Sequence, residues 1–183
     1  GTDSLEETAY FLDLTINDNR PIIVTGSQKS SEDVGTDVYS NLRNSILVAA
    51  SKQAKNIGTC VVFNEKIFHA KYVKKSHSSS INGFGTIGYG MLGYIDNDEV
   101  IIYQKPANTE YYVIKQKYPT VELIYSYLGA SSTILDFLLE TDVEGIVLVG
   151  AGRGQVSPKM VESIEKMCEK GIKVVLTTST EEG

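Results

Sequence analysis

Beyond residue 120 the chain alternates short apolar runs with helix-length amphipathic stretches, and no other feature limits its fold as much. Val121 to Tyr125, Gly145 to Gly150 and Lys173 to Leu176 have the length and apolar content of strands. Between them, Ser132 to Glu140 and Pro158 to Lys170 repeat apolar residues at helical spacing. Strands separated by helices of this length imply crossover connections and a parallel sheet with helices packed on it.

A similar order opens the chain. Ser4 with Glu7 three residues on has the pattern of a capping box, and Leu5, Ala9, Leu12 and Ile16 follow at helical spacing. Asp18-Asn19-Arg20-Pro21 ends that helix, and Ile22-Ile23-Val24 reads as a short strand leading to Gly26. The polar stretch from Gln28 to Thr36 is a loop, after which Leu42, Ile46, Ala49 and Ala50 mark the expected inner face of a second helix. Strands follow at Cys60 to Phe63, Phe68 to Val73 and Val100 to Tyr103, the first two joined at a tight turn near Glu65-Lys66. The segment 105–120, with two prolines and no period, is a linker between a first α/β domain over 1–104 and a second over 121–183. There is no internal repeat.

Composition narrows the partners. Lys plus Arg number 17 against 23 Asp plus Glu, a net charge of -6, and the sequence pI is near 5.0. That balance lacks the basic footprint of a nucleic-acid or anionic-membrane binder, so a small molecule is the expected partner. Two cysteines, Cys60 and Cys168, exclude a disulfide scaffold and a cysteine-rich zinc site, and Cys60 lies in an apolar run where a buried thiol is expected. The longest stretch without formal charge, Ser76 to Ile95, contains four serines and five glycines and is too polar for a membrane span.

Three segments carry candidate chemistry. Thr2-Asp3 stands directly before the first helix, where the hydroxyl could act on a substrate and the carboxylate could bind its cationic end; a simple helix cap is the structural alternative. Lys74-Lys75-Ser76-His77 follows an apolar segment, and a lysine brought beside a threonine hydroxyl activates it without histidine; a solvated basic turn is the other reading. Gly150-Ala151-Gly152-Arg153-Gly154-Gln155 has the setting of a dinucleotide loop, but Gln155 occupies the place of the third glycine, and a tight strand-to-helix turn accounts for it.

Taken together these motifs resemble the bacterial-type L-asparaginases. Gly1-Thr2-Asp3-Ser4-Leu5-Glu6-Glu7-Thr8-Ala9 is similar to the second signature of that family, a Gly-Thr-Asp-Thr followed by a Glu-Glu-Thr-Ala helix. Pro21 to Ser27, Asp37 with Asn41-Leu42, Val62-Phe63-Asn64, Val73-Lys74-Lys75-Ser76, Leu92-Gly93-Tyr94-Ile95 and Gly145-Ile146-Val147 match further family motifs in the same order. The resemblance implies a two-lobed α/β fold with parallel-rich sheets and flanking helices. It implies hydrolysis of L-asparagine, with L-glutamine as a weaker substrate, through a threonine acyl-enzyme and without metal or cofactor. Thr2 and Lys75 then belong to a Thr-Lys-Asp catalytic group, Asp3 binds the substrate α-amino group, and the Ser27 carbonyl contacts the side-chain amide. A homotetramer built from dimers with shared sites is implied as well, in a soluble protein for which the cytoplasm is favoured over periplasm or secretion.

The departures are specific. Family members open with a Thr-Gly-Gly-Thr-Ile strand bearing the primary nucleophile, and neither that strand nor the tyrosine loop after it is present in these 183 residues. Ser179 stands where arginine is common, and Lys170-Gly171 where Asn-Gly is expected. The expectation is therefore a fold incomplete at both ends and, for these residues alone, no turnover. Two other functions share the pattern: a subunit of a tRNA-dependent amidotransferase, which the acidic charge disfavours, and a non-catalytic α/β binding or scaffold protein.

Overall fold

The computed structural model describes residues 1–106 and 110–181. Residues 107–109 of the expected linker, and 182 and 183 of the expected second domain, lie outside the described residues. The chain forms two compact units, Gly1–Ile114 and Lys115–Gly183.

The first unit is built on a five-stranded mixed sheet. It follows α1 (Leu5–Thr15) with β1 (Ile22–Val24), α2 (Val38–Ala50), β2 (Thr59–Phe63), β3 (Lys66–His69), β4 (Val73–Lys75), β5 (Phe84–Thr86), β6 (Gly93–Asp96) and β7 (Glu99–Ile102). The sheet order is β1-β2-β3-β6-β7, while β4 and β5 form a separate two-stranded ribbon. β1 runs parallel to β2, and the remaining neighbours are antiparallel. Asn64 and Glu65 make the β2–β3 turn at positive φ (49° and 63°), one residue earlier than the sequence suggested.

β2 is buried along its whole length because both of its faces are covered, which is why it reads as an unbroken apolar run. Cys60 and Val62 face a core with Val48 of α2, Ile57, Ile67, Leu92 and Ile95. Val61 and Phe63 face a second core with Leu5 and Ala9 of α1, Phe68, Val73 and Phe84. Burial pushes the Cys60 thiol up, well above an ordinary cysteine, so it is an inert packing group.

Both helices form where the sequence places them, but each differs from it in detail. Ser4 precedes α1 but its side chain makes no capping hydrogen bond, so the Ser4–Glu7 box does not form. The buried side of α1 is Leu5, Ala9 and Asp13, with Ile16 exposed. The α2 correction is larger. Leu42 and Ile46 are 53% and 61% exposed, Ala49 and Ala50 are exposed too, and Asn41, Asn44, Ser45 and Val48 point inward. Hydrogen bonding decides this register. The Asn41 amide donates to the Gly26 carbonyl (2.9 Å) and to Asp37 (3.0 Å), and its oxygen accepts the Asn64 N–H (2.9 Å). Burying Leu42 in its place would forfeit all three bonds inside the fold.

Asp13 is buried for a similar reason: its carboxylate accepts the N–H of Thr59 at 3.0 Å. Across it lies His69, 3% exposed, whose Nδ1 accepts the Lys71 N–H, which places the neutral ring's proton on Nε2, 3.8 Å from Asp13. Burial holds the His69 imidazole below its ordinary value, outweighing the pull of Asp13 in the opposite direction. The unfolded chain therefore binds this proton first as pH falls, and the folded state loses stability progressively below about pH 6.5, the unperturbed histidine value. In urea titrations the midpoint should drop between pH 7.5 and 5.5, and by less in a His69→Gln variant; an identical drop in both would remove His69 as the cause.

The second unit is a three-stranded, fully parallel sheet. β8 (Val121–Tyr125), α3 (Thr133–Leu138), β9 (Gly145–Gly150), α4 (Val161–Glu169) and β10 (Lys173–Thr178) follow in turn, with β9 central in the order β10-β9-β8. Ile124, Ile146 and Leu148 pack against Leu135 and Leu138 of α3 and Met160 and Met167 around α4. Both helices supply this one core, and Ser163 of α4 donates to Asp136 of α3 at 2.6 Å. After β9 the glycines form a closed turn, with Ala151 bridging Gln155 and Gly152 and Gly154 at positive φ. A single 3-10 turn, Pro158–Met160, separates this loop from α4, so it does not have the strand-loop-helix geometry of a dinucleotide site.

Candidate active site

The start of α1 and the end of β4 meet although 73 residues separate them. Lys75 Nζ donates to Thr2 Oγ1 at 2.7 Å, and the same ammonium lies 3.6 Å from Asp3 Oδ1. Thr2 is 7% exposed. Lys75 is partly covered and Asp3 is fully exposed. A shielded hydroxyl is thus held by a cation, with a solvent-exposed carboxylate beside it.

Packing of the ribbon sets this geometry. Phe84, paired with Lys75 across β4–β5, puts its ring 4.7 Å from that of Phe63 on the central strand. Beyond β4 the backbone turns back at once: Ser76 and His77 both donate to the Gly83 carbonyl, and His77 Nδ1 accepts the N–H groups of Ser79 and Ser80. The Lys74–Ser80 stretch is therefore a turn closed by its own hydrogen bonds rather than a plain basic turn. Among the described residues no group of three or more His, Cys, Asp or Glu is placed to hold a metal ion.

The loop after β1 closes another side. A Cβ on Gly26 would lie 2.7 Å from the Gly1 carbonyl oxygen, so only glycine lets this loop approach the Thr2 segment so closely. Ser27 follows it, half-buried. Gln28 accepts the Thr2 hydroxyl at 3.4 Å and donates to the His77 carbonyl at 3.3 Å, joining the two loops. Asp37, at the head of α2, accepts the N–H groups of Gln28 and Lys29 and holds the loop from below.

Of the four residues singled out from sequence, Thr2, Asp3 and Lys75 come together, and Ser27 lies in the loop whose preceding residue, Gly26, approaches the Gly1 backbone, with no hydrogen bond to the other three. Gln28, Glu6 and the Asp37–Asn41 pair were missed as parts of the site. A polar i,i+4 pair, Asp37 and Asn41, at the head of the second helix was the available signal for the last.

Fold and site define an α/β protein with a hydroxyl, an ammonium and a carboxylate gathered where a helix begins. Comparison with known proteins gives the family: residues 1–108 match the model described as "Asparaginase, N-terminal" and residues 120–183 that of the "Glutaminase/Asparaginase C-terminal domain". The chain belongs to the asparaginase family. The L-asparaginase of Bacillus licheniformis is 50% identical over 183 residues, covering 100% of this chain and 57% of that protein. L-asparaginase 2 of Bacillus subtilis (strain 168) is 35% identical over 188 residues, 100% of this chain and 50% of that protein. A solved structure described as a probable cytoplasmic L-asparaginase from Campylobacter jejuni matches with a TM-score of 0.92 at 34% identity, over 98% of this chain and 61% of the other. The chain thus spans little more than half the length of the relatives it matches.

Proposed function

We propose that the intact protein hydrolyses L-asparagine, and L-glutamine more weakly, to the amino diacid and ammonia. The observation that carries this reading is the 2.7 Å contact from Lys75 Nζ to Thr2 Oγ1, within a chain of this family. In the proposed reaction a threonine oxygen attacks the carbon of the substrate's terminal amide, the C–N bond breaks, the nitrogen leaves as ammonia with the threonine hydroxyl's proton, and water then hydrolyses the ester to the carboxylic acid, returning a proton to the threonine oxygen. Lys75 and Thr2 form the hydrogen-bonded pair that activates the hydroxyl or the attacking water, because an ammonium beside a hydroxyl favours negative charge on its oxygen. Asp3, open to solvent, accepts from the substrate's α-ammonium by a charge-assisted hydrogen bond, and the Ser27 carbonyl accepts from the terminal amide. The primary nucleophile is a family threonine outside these 183 residues, and the working unit is a homotetramer with sites shared between subunits, acting without metal or cofactor.

No helix among the described residues is long and apolar enough to cross a membrane. A cytoplasmic setting is supported by the description of the Campylobacter structure, although a Haemophilus influenzae relative is named periplasmic. The test is ammonia release by the intact protein from asparagine and from glutamine. Release from asparagine at the higher kcat/KM is expected; a folded protein that releases ammonia from neither overturns the proposal.

A further inference from the structure

We propose that Glu6 is a positioning residue that sets Lys75 against Thr2, an inference that rests on the amidohydrolase reading above. Glu6 lies in the first turn of α1, four residues beyond Thr2, and its carboxylate is largely covered. Its Oε1 accepts the backbone N–H of Lys75, and its Oε2 pairs with the Lys74 ammonium at 3.3 Å. Lys75 is therefore gripped at two points by one short segment, at its amide by Glu6 and at its ammonium by Thr2.

The grip matters because of where Lys75 sits. β4 has three residues and pairs only with β5, so no strand of the main sheet fixes its position. A ribbon of two short strands is marginally stable by itself, and its amides have few ladder partners. The aromatic contact of Phe84 fixes the far strand, and Glu6 fixes the near one, at the residue whose side chain reaches the hydroxyl. A lysine stem has four rotatable carbons; anchoring the amide at its root limits where the ammonium can go, and a displacement near 1 Å is enough to cost on the order of a hundredfold in rate. Glu7, the next residue, is exposed, so the placement belongs to Glu6 and not to acidic charge at the helix start in general.

Reach and charge can be separated. Gln at position 6 keeps an oxygen that accepts the Lys75 N–H but loses the charge; Asp keeps the charge but is one methylene short. In the intact protein, Glu6→Gln should hold kcat for asparagine within about threefold, whereas Glu6→Asp and Glu6→Ala should lower kcat about 10- to 100-fold with KM within about threefold, the signature of misplacement at the reacting centre. Lys74→Met and Glu7→Ala should leave both constants within about twofold, as expected if the amide contact and not the ion pair is responsible. The proposal is overturned if Glu6→Asp keeps the parent kcat, if Glu6→Gln is damaged as much as Glu6→Asp, if the loss appears in KM, or if Lys74→Met reproduces it. Should Glu6→Ala fail to fold, the Asp and Gln pair still decides. Absence of ammonia release from both asparagine and glutamine by the folded parent protein would instead remove the amidohydrolase reading itself, whatever Glu6 does.

Discussion

Lys75→Met in the intact protein should lower kcat/KM for asparagine by at least about a thousandfold, roughly 4 kcal/mol of transition-state stabilisation. Methionine matches the lysine stem in length and bulk but cannot donate. The 2.7 Å hydrogen bond to Thr2 and the 3.6 Å approach to Asp3 both disappear with the charge. The fold should hardly notice: Lys75 lies at a strand end, and losing one partly exposed hydrogen bond costs about 1 kcal/mol in a urea titration. Thr2→Val should cause a comparable loss, since valine keeps the shape and removes the oxygen. The double variant should be little worse than either single one, because groups that act as a unit are not additive. Steady-state ammonia release gives the rates, and its pH profile should change shape in Lys75→Met. Activity within threefold of the parent, or an unchanged profile, would reduce the lysine to a surface charge.

Where hydrophobicity decides the structure, the sequence was informative. Thr59–Phe63 is an unbroken apolar run because helices and ribbon cover both faces of β2, and β8, β9 and β10 fall where the apolar runs of the second half place them. Where hydrogen bonds decide it, apolar spacing pointed the wrong way. α2 turns Leu42 and Ile46 outward because Asn41 has three inward partners, and Ser4 precedes α1 without a capping bond from its hydroxyl. The Thr2–Lys75 pair could not be read from spacing at all, since its members are brought together by tertiary packing; only the family motifs linked them. Nothing in the local pattern sets Glu6 apart from Glu7 beside it, and its contact with the Lys75 amide depends on a ribbon that local patterning does not reveal.

Asn41→Leu should be the most damaging single change in the first unit outside its apolar cores. Leucine has nearly the shape of asparagine and raises apolar content, so a scale based on hydrophobicity alone would rate the change as neutral or favourable. The surroundings make it costly. The Gly26 carbonyl, the Asn64 N–H and one arm of the Asp37 carboxylate each lose a partner at a position only 1% exposed. At about 1–3 kcal/mol for each buried polar group left unpaired, a loss of roughly 3–5 kcal/mol is expected, a large share of the stability of a domain. Asp37 keeps its bonds to the Gln28 and Lys29 amides, so the loop bearing Ser27 should loosen without detaching. In the intact protein this should raise KM for asparagine more than it lowers kcat, the reverse of the pattern expected at Lys75. The control is one residue along the same helix: Leu42→Ala, at a side chain half in solvent, should cost less than about 1 kcal/mol. Urea midpoints of the two variants settle which side of α2 carries the fold, and a larger loss from Leu42→Ala than from Asn41→Leu would reverse the assignment.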